Sequence, residues 1–98
     1  MNTDYIKSLD NQRCRGLIIE NLKTKYPDGV DFVVLQKALE IQGHKLNKKE
    51  LAELIEYLKD GEYVRATYFQ KYILIITLTK KGMDLLEKSI DDIGILVD

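Results

Sequence analysis

Apolar residues recur at two different spacings along this chain. Through the first sixty positions they return every three or four residues, then they alternate or run together, and near the end the longer spacing comes back. Cys14, Leu17, Ile18 and Leu22 share one face of a helix predicted over roughly residues 10–25, with Asp10 as its N-cap. Gly16 sits inside it at a cost of about 1 kcal/mol relative to alanine, which fits either a close approach by another element or a tolerated defect. Pro27-Asp28-Gly29 then makes a turn, because proline disfavours helical geometry at Tyr26 and Asp28-Gly29 suits left-handed backbone. Asp31 caps a second helix over residues 32–42, with Leu35, Ala38 and Leu39 inward and Gly43 as its stop. Asn47 caps a third, in which Leu51, Leu54, Ile55 and Leu58 form one stripe before Asp60-Gly61 ends it.

Two strand-like runs follow, residues 63–69 and 72–78. Gln70-Lys71 between them fits a tight hairpin or a slightly longer loop. A last helix starts near Lys80 with Met83, Leu86 and Ile90 on one side. Residues 91–98 are acidic and apolar by turns, and either fray or pack as a terminal arm. Residues 1–9 read as an N-terminal arm. The second strand, Tyr72-Ile73-Leu74-Ile75-Ile76, is apolar at successive positions, so both of its faces require cover. One face would pack on the helices. The other calls for the segment around Tyr5, Ile6 and Leu9, the tail Ile93–Val97, or another subunit, which makes Tyr72, Ile73 and Ile75 candidate interface residues.

With 98 residues, 45% apolar and 32% charged, the chain suffices for one core, so residues 1–98 are read as a single domain. The absence of a long apolar run and of a basic-apolar leader points to a cytoplasmic protein with no membrane partner. Its one cysteine, Cys14, lies on a predicted core stripe and reads as a small buried hydrophobe. From Asp84 onward there are five acids and one base; the rest holds eleven acids against fourteen bases, a body of about +3. That mild excess permits a local nucleic-acid patch without arguing for one. The densest basic cluster is His44, Lys45, Lys48 and Lys49, where the third helix begins. A helix start bearing two lysines suits phosphates, since its free amides and dipole add to the side-chain charge.

The order helix, helix, helix, strand, strand, helix resembles the winged helix-turn-helix superfamily of small prokaryotic and phage transcription regulators. The likeness spans Gly16 to Glu87. It is carried by Tyr26-Pro27-Asp28-Gly29-Val30, by Leu54-Ile55-Glu56-Tyr57-Leu58-Lys59-Asp60-Gly61-Glu62-Tyr63-Val64, and by Leu78-Thr79-Lys80-Lys81-Gly82-Met83-Asp84-Leu85-Leu86. The resemblance implies an α+β, mainly helical fold: a three-helix core, a two-stranded hairpin wing and a C-terminal helix. It implies double-stranded DNA as partner, with the helix over residues 47–59 in the major groove. Asn47, Lys48, Lys49, Ala52 and Glu53 would form the front of that helix, and Arg65 and Lys71 would sit on the wing, with His44 and Lys45 adjoining.

The outer face of that helix departs from the pattern. Glu50, Glu53 and Glu56 flank Lys49 and Ala52, and carboxylates facing a groove repel phosphates. A protein–protein interaction module using the wing or the Glu53/Glu56 face is therefore the alternative, and a homodimer accords with both readings. The sole histidine has no cysteine or carboxylate at metal-ligand spacing, and neither a phosphate-cradling glycine loop nor a nucleophile elbow occurs. The sequence thus predicts a protein without enzymatic activity, cofactor or metal.

Overall fold

A computed structural model describes residues 3–98. The architecture is α+β and mainly helical: α1 (Thr3–Lys23), β1 (Val30–Asp31), α2 (Phe32–Ile41), α3 (Lys48–Asp60), β2 (Val64–Phe69), β3 (Tyr72–Leu78) and α4 (Lys80–Leu86). The strands form one antiparallel sheet in the order β1-β3-β2.

α1 starts well before the expected cap at Asp10. No proline or glycine interrupts residues 3–9, so the helix propagates through Asp10, and Tyr5, Ile6 and Leu9 join it. At 3.6 residues per turn these three point about half a revolution away from Cys14, Ile18 and Leu22. One helix thus carries two opposed apolar stripes. The second is core: Ile18 and Ile19 are fully buried, and Leu22 nearly so.

Local signals set the next two helices. The Asp31 carboxylate accepts the amides of Val33 and Val34 at 2.8 and 3.2 Å, starting α2. Gly43, at φ 96°, closes it while the His44 amide reaches back to the Leu39 carbonyl at 2.9 Å. Asn47 and Glu50 cap α3 reciprocally. The Glu50 amide donates to Asn47 Oδ1 at 2.8 Å, and the Asn47 amide donates to Glu50 Oε1 at 2.9 Å. α3 sends Leu51, Leu54, Ile55 and Leu58 inward, as its stripe predicts. At its end the left-handed residue is Glu62, φ 66°, and not Gly61. Gly61 is small because a Cβ there would strike the Tyr63 ring at 2.6 Å.

The strands pair as expected through a two-residue turn, Gln70-Lys71, with Gln70 at φ 57°. Thr67 faces Ile75 and Tyr68 faces Ile73, so Leu74 is an extra residue that bulges β3. The third strand is absent from the sequence reading, since Val30–Asp31 is too short for any periodicity. Its registry, Val30 opposite Ile76, brings the Gly29 turn over the sheet. A Cβ on Gly29 would strike the Ile75 side chain, and would lie 2.7 Å from Thr77 Oγ1.

That turn corrects the expected cover of β3. It is the Gly29 turn that lies against Ile75 and Thr77, whereas Tyr5 and Ile6 stay exposed and the tail lies on α1. Tyr72 and Leu74 remain exposed, and Ile73 is half-buried against the core. The last helix differs too: Leu85 is its buried side chain, Met83 and Leu86 pack at the margin, and Ile90 lies past its end.

The tail packs as an arm along α1. The Leu96 amide donates to the Gln12 carbonyl at 2.9 Å, Arg13 donates to the Leu96 carbonyl at 3.0 Å, and Arg15 to the Gly94 carbonyl at 2.9 Å. Ile95 enters the core. Asp92 accepts the hydroxyls of Tyr57 and Tyr63 at 3.1 and 2.7 Å, tying the tail to α3 and to the entry of β2. Among the described residues no helix is long and apolar enough to cross a membrane.

Candidate nucleic-acid interface

The reciprocal cap on α3 uses the amides of Asn47 and Glu50 but leaves those of Lys48 and Lys49 open at the helix start. Lys45, Lys48 and Lys49 are exposed, and among the described residues none of them has an ion-pair partner. Asn47 spends its side-chain oxygen on the cap. His44 departs from this group: its Nδ1 lies 3.3 Å from the Sγ of buried Cys14, so the imidazole turns towards α1. Burial pushes the Cys14 thiol up, as expected of a core cysteine, and away from reactivity at neutral pH.

The nine sequence candidates divide among several surfaces. Lys48, Ala52 and Lys71 line one groove, bounded by the start of α2 at Asp31–Val33, by α3, and by the hairpin at Tyr68 and Tyr72–Leu74. Lys45 and Asn47 border a second hollow beside α2, with Lys37 and Glu40, which pair with each other at 3.0 Å. Lys49 and Glu53 face a cleft towards α1 that also holds Lys7, Arg15 and Asp60. Arg65 lies apart from all of these.

Arg65 instead joins Lys59, Lys80 and Lys81 around Glu62, near the C-terminal end of α3. Sequence reasoning missed this basic group because its members come from three elements. The detectable signal was the pairing of the strands, which sets Arg65 opposite Thr77, shortly before Lys80-Lys81. Three of the four are engaged: Lys81 donates to the Gly61 carbonyl at 2.8 Å, Lys59 pairs with Glu56 at 3.1 Å and Lys80 with Asp84 at 3.5 Å.

The glutamates of α3 are less free than their number suggests. Glu50 closes the cap. Glu56 binds Lys59 and accepts the Tyr68 hydroxyl at 2.9 Å; these two partners, Lys59 foremost, hold its carboxyl below the usual range. Lys59 is pushed up in turn by Tyr68 and then Glu56. Glu53 alone has no such partner. In the first groove, then, Asp31 is held by the α2 amides and Glu56 by Lys59, whereas Lys48 and Lys71 have no ion-pair partner among the described residues.

Exposed apolar side chains line the same groove: Val33 and Tyr72 are 57% and 62% exposed, and Leu74 45%. Among the described residues, no group of three His, Cys, Asp or Glu side chains is placed to hold a metal ion. No family model, curated protein or solved structure matches this chain.

Proposed function

We propose that this chain is a winged helix-turn-helix DNA-binding domain of the transcription-regulator type, working without catalysis in the cytoplasm. In this reading α3 enters the major groove by its N-terminal end and the β2–β3 hairpin is the wing. One observation carries it. Lys48 on α3 and Lys71 in the hairpin turn border the same groove with no ion-pair partner among the described residues, while of the two acids there Glu56 is paired with Lys59 and Asp31 caps α2. Two open amides at the start of α3 add to that field. The order of the elements supports the same reading by analogy of fold.

Binding of this kind rests on phosphates and weakens with salt. Fluorescence anisotropy with mixed-sequence duplex DNA is expected to give an affinity that falls steeply as salt rises. Lys48→Ala with Lys49→Ala should weaken binding to all sequences alike and lower the salt slope by about two. No binding at low salt would remove this reading.

The exposed apolar surface of the hairpin favours a second reading, a winged-helix module that docks a protein. Its test is a pull-down in which Tyr72→Asp and Glu53→Lys are compared with the parent chain. Retention of every partner by both variants would dismiss it.

A further inference from the structure

The first turns of α1 are amphipathic in the inverted sense. Tyr5 and Ile6 lie within about 60° of the direction of Leu9 around the helix, while Asp4, Lys7 and Asp10 lie at least about 100° from it. All six are exposed. The apolar three point away from the core stripe of Cys14, Ile18 and Leu22 and into solvent, Tyr5 at 66% and Ile6 at 51% exposure, where a helix packed only on its own core turns its polar side. A turn further on, the same face is covered. Gln12 and Gly16 also lie within about 60° of Leu9, and there the tail crosses, with the Leu96 amide on the Gln12 carbonyl at 2.9 Å and the Leu96 carbonyl against Gly16. Ile95 is buried and Val97 packs on the core, so Leu96 between them turns outward, 42% exposed. The stripe thus has a bare end at Tyr5, Ile6 and Leu9 and an end raised by the tail and topped by Leu96, with a step between Leu9 and Gln12.

A step of this kind is complementary to itself. When two copies lie antiparallel about a two-fold axis at the step, the raised end of each fills the bare end of the other, and both contacts form at once. We infer that α1 pairs with α1 of a second copy in this way, Tyr5, Ile6 and Leu9 of each seated against Leu96 of the other. The charges accord with it. Arg13, the cation at the step, is already paired with Glu20 at 2.9 Å, and Asp4, Lys7 and Asp10 lie off the stripe, so two copies bring no unpaired like charges together. Four apolar side chains from each copy make a contact below about 1,200 Å² in total, the weak end of specific pairing. The pair therefore forms at high protein concentration. Pairing through α1 does not depend on the DNA-binding reading.

The test is sedimentation equilibrium of the full chain at concentrations up to about 1 mM, which reaches millimolar affinities. The mass of the parent should rise with concentration from 11.4 kDa towards twice that value. Ile6→Asp and Leu9→Asp disrupt the bare end and Leu96→Asp the raised end, and each should keep the mass at one copy throughout. Leu9→Gln, milder within a helix, should weaken pairing in the same sense. Tyr72→Asp, on the hairpin, should pair as the parent does. The four side chains replaced are each more than a third exposed, so circular dichroism is expected to show parent-like folding in every variant. A parent that stays at one copy up to the highest concentration overturns the pairing, as does pairing retained by Ile6→Asp and Leu9→Asp. Pairing retained by Leu96→Asp overturns the interlocking of helix and tail. Pairing lost in Tyr72→Asp and kept in the α1 variants also overturns it, assigning the interface to the hairpin.

Discussion

Gly16 is glycine because of a residue eighty positions later in the chain. A Cβ there would run into the carbonyl of Leu96, where the tail crosses α1. Two effects of known size compete on substitution. Alanine stabilises a helix interior by about 1 kcal/mol over glycine, while overpacking a close contact costs about 1–3 kcal/mol. The second is expected to win, so Gly16→Ala should lower stability to urea by about 1 kcal/mol. In a chain ending at Asp91 the same change should instead stabilise by about 1 kcal/mol. If alanine stabilises the full-length chain, the contact does not constrain this position. Nothing in the local sequence separates this glycine from a tolerated defect, because the atom that excludes a methyl group belongs to another segment.

At the level of elements, caps were legible and faces were less so. Asp31, Asn47 and Gly43 act within four residues of themselves, and the helices they bound lie where their sequence puts them. α1 is longer than its local signals imply, because Asp10 resembles a cap in isolation yet lies within a helix that no proline or glycine interrupts upstream. The hairpin turn was legible in length but not in strain. Gln70 adopts the left-handed backbone that costs a non-glycine residue about 1–2 kcal/mol. Gln70→Gly is accordingly expected to raise the unfolding free energy by roughly 0.5–1 kcal/mol in urea titration, the gain being reduced by glycine's greater entropy in the unfolded chain. An unchanged or lower value would mean that the Gln70 side chain contributes what its backbone forfeits.

Over the whole molecule, Asp92 joins elements that the sequence leaves unconnected. Burial alone would push its carboxyl up, but the hydroxyl of Tyr63, the amide of Gly94 and the hydroxyl of Tyr57 outweigh this and hold it below the ordinary range. The contribution of this carboxylate is therefore complete above a pH of about 4, the unfolded value, and is lost as pH falls through the lowered one. Tyr63 behaves in the opposite sense. Burial, with Asp92 beside it, pushes its hydroxyl up to about 12, so its contribution is complete below about pH 10 and fades above that. Asp92→Asn should cost about 1 kcal/mol at neutral pH, the scale of a hydrogen bond to a charged, partly exposed group. Thermal melts of variant and parent should converge near pH 2, and a gap that persists there would argue against the carboxylate as its source.

The sequence by itself determined the α+β class, the limits of α2 and α3, the pairing of β2 with β3, and Cys14 as a buried thiol. Each of these is written in short-range spacing, capping chemistry or one unbroken apolar stripe. Only the tertiary structure decided which lysines stand together, that His44 turns to Cys14, and that the Gly29 turn lies against Ile75 while the tail lies along α1. The basic group of Lys59, Arg65, Lys80 and Lys81 is a product of strand registry and of the docking of α4 beside it. Registry is fixed by the competition of whole faces for burial, which no local window of the chain contains.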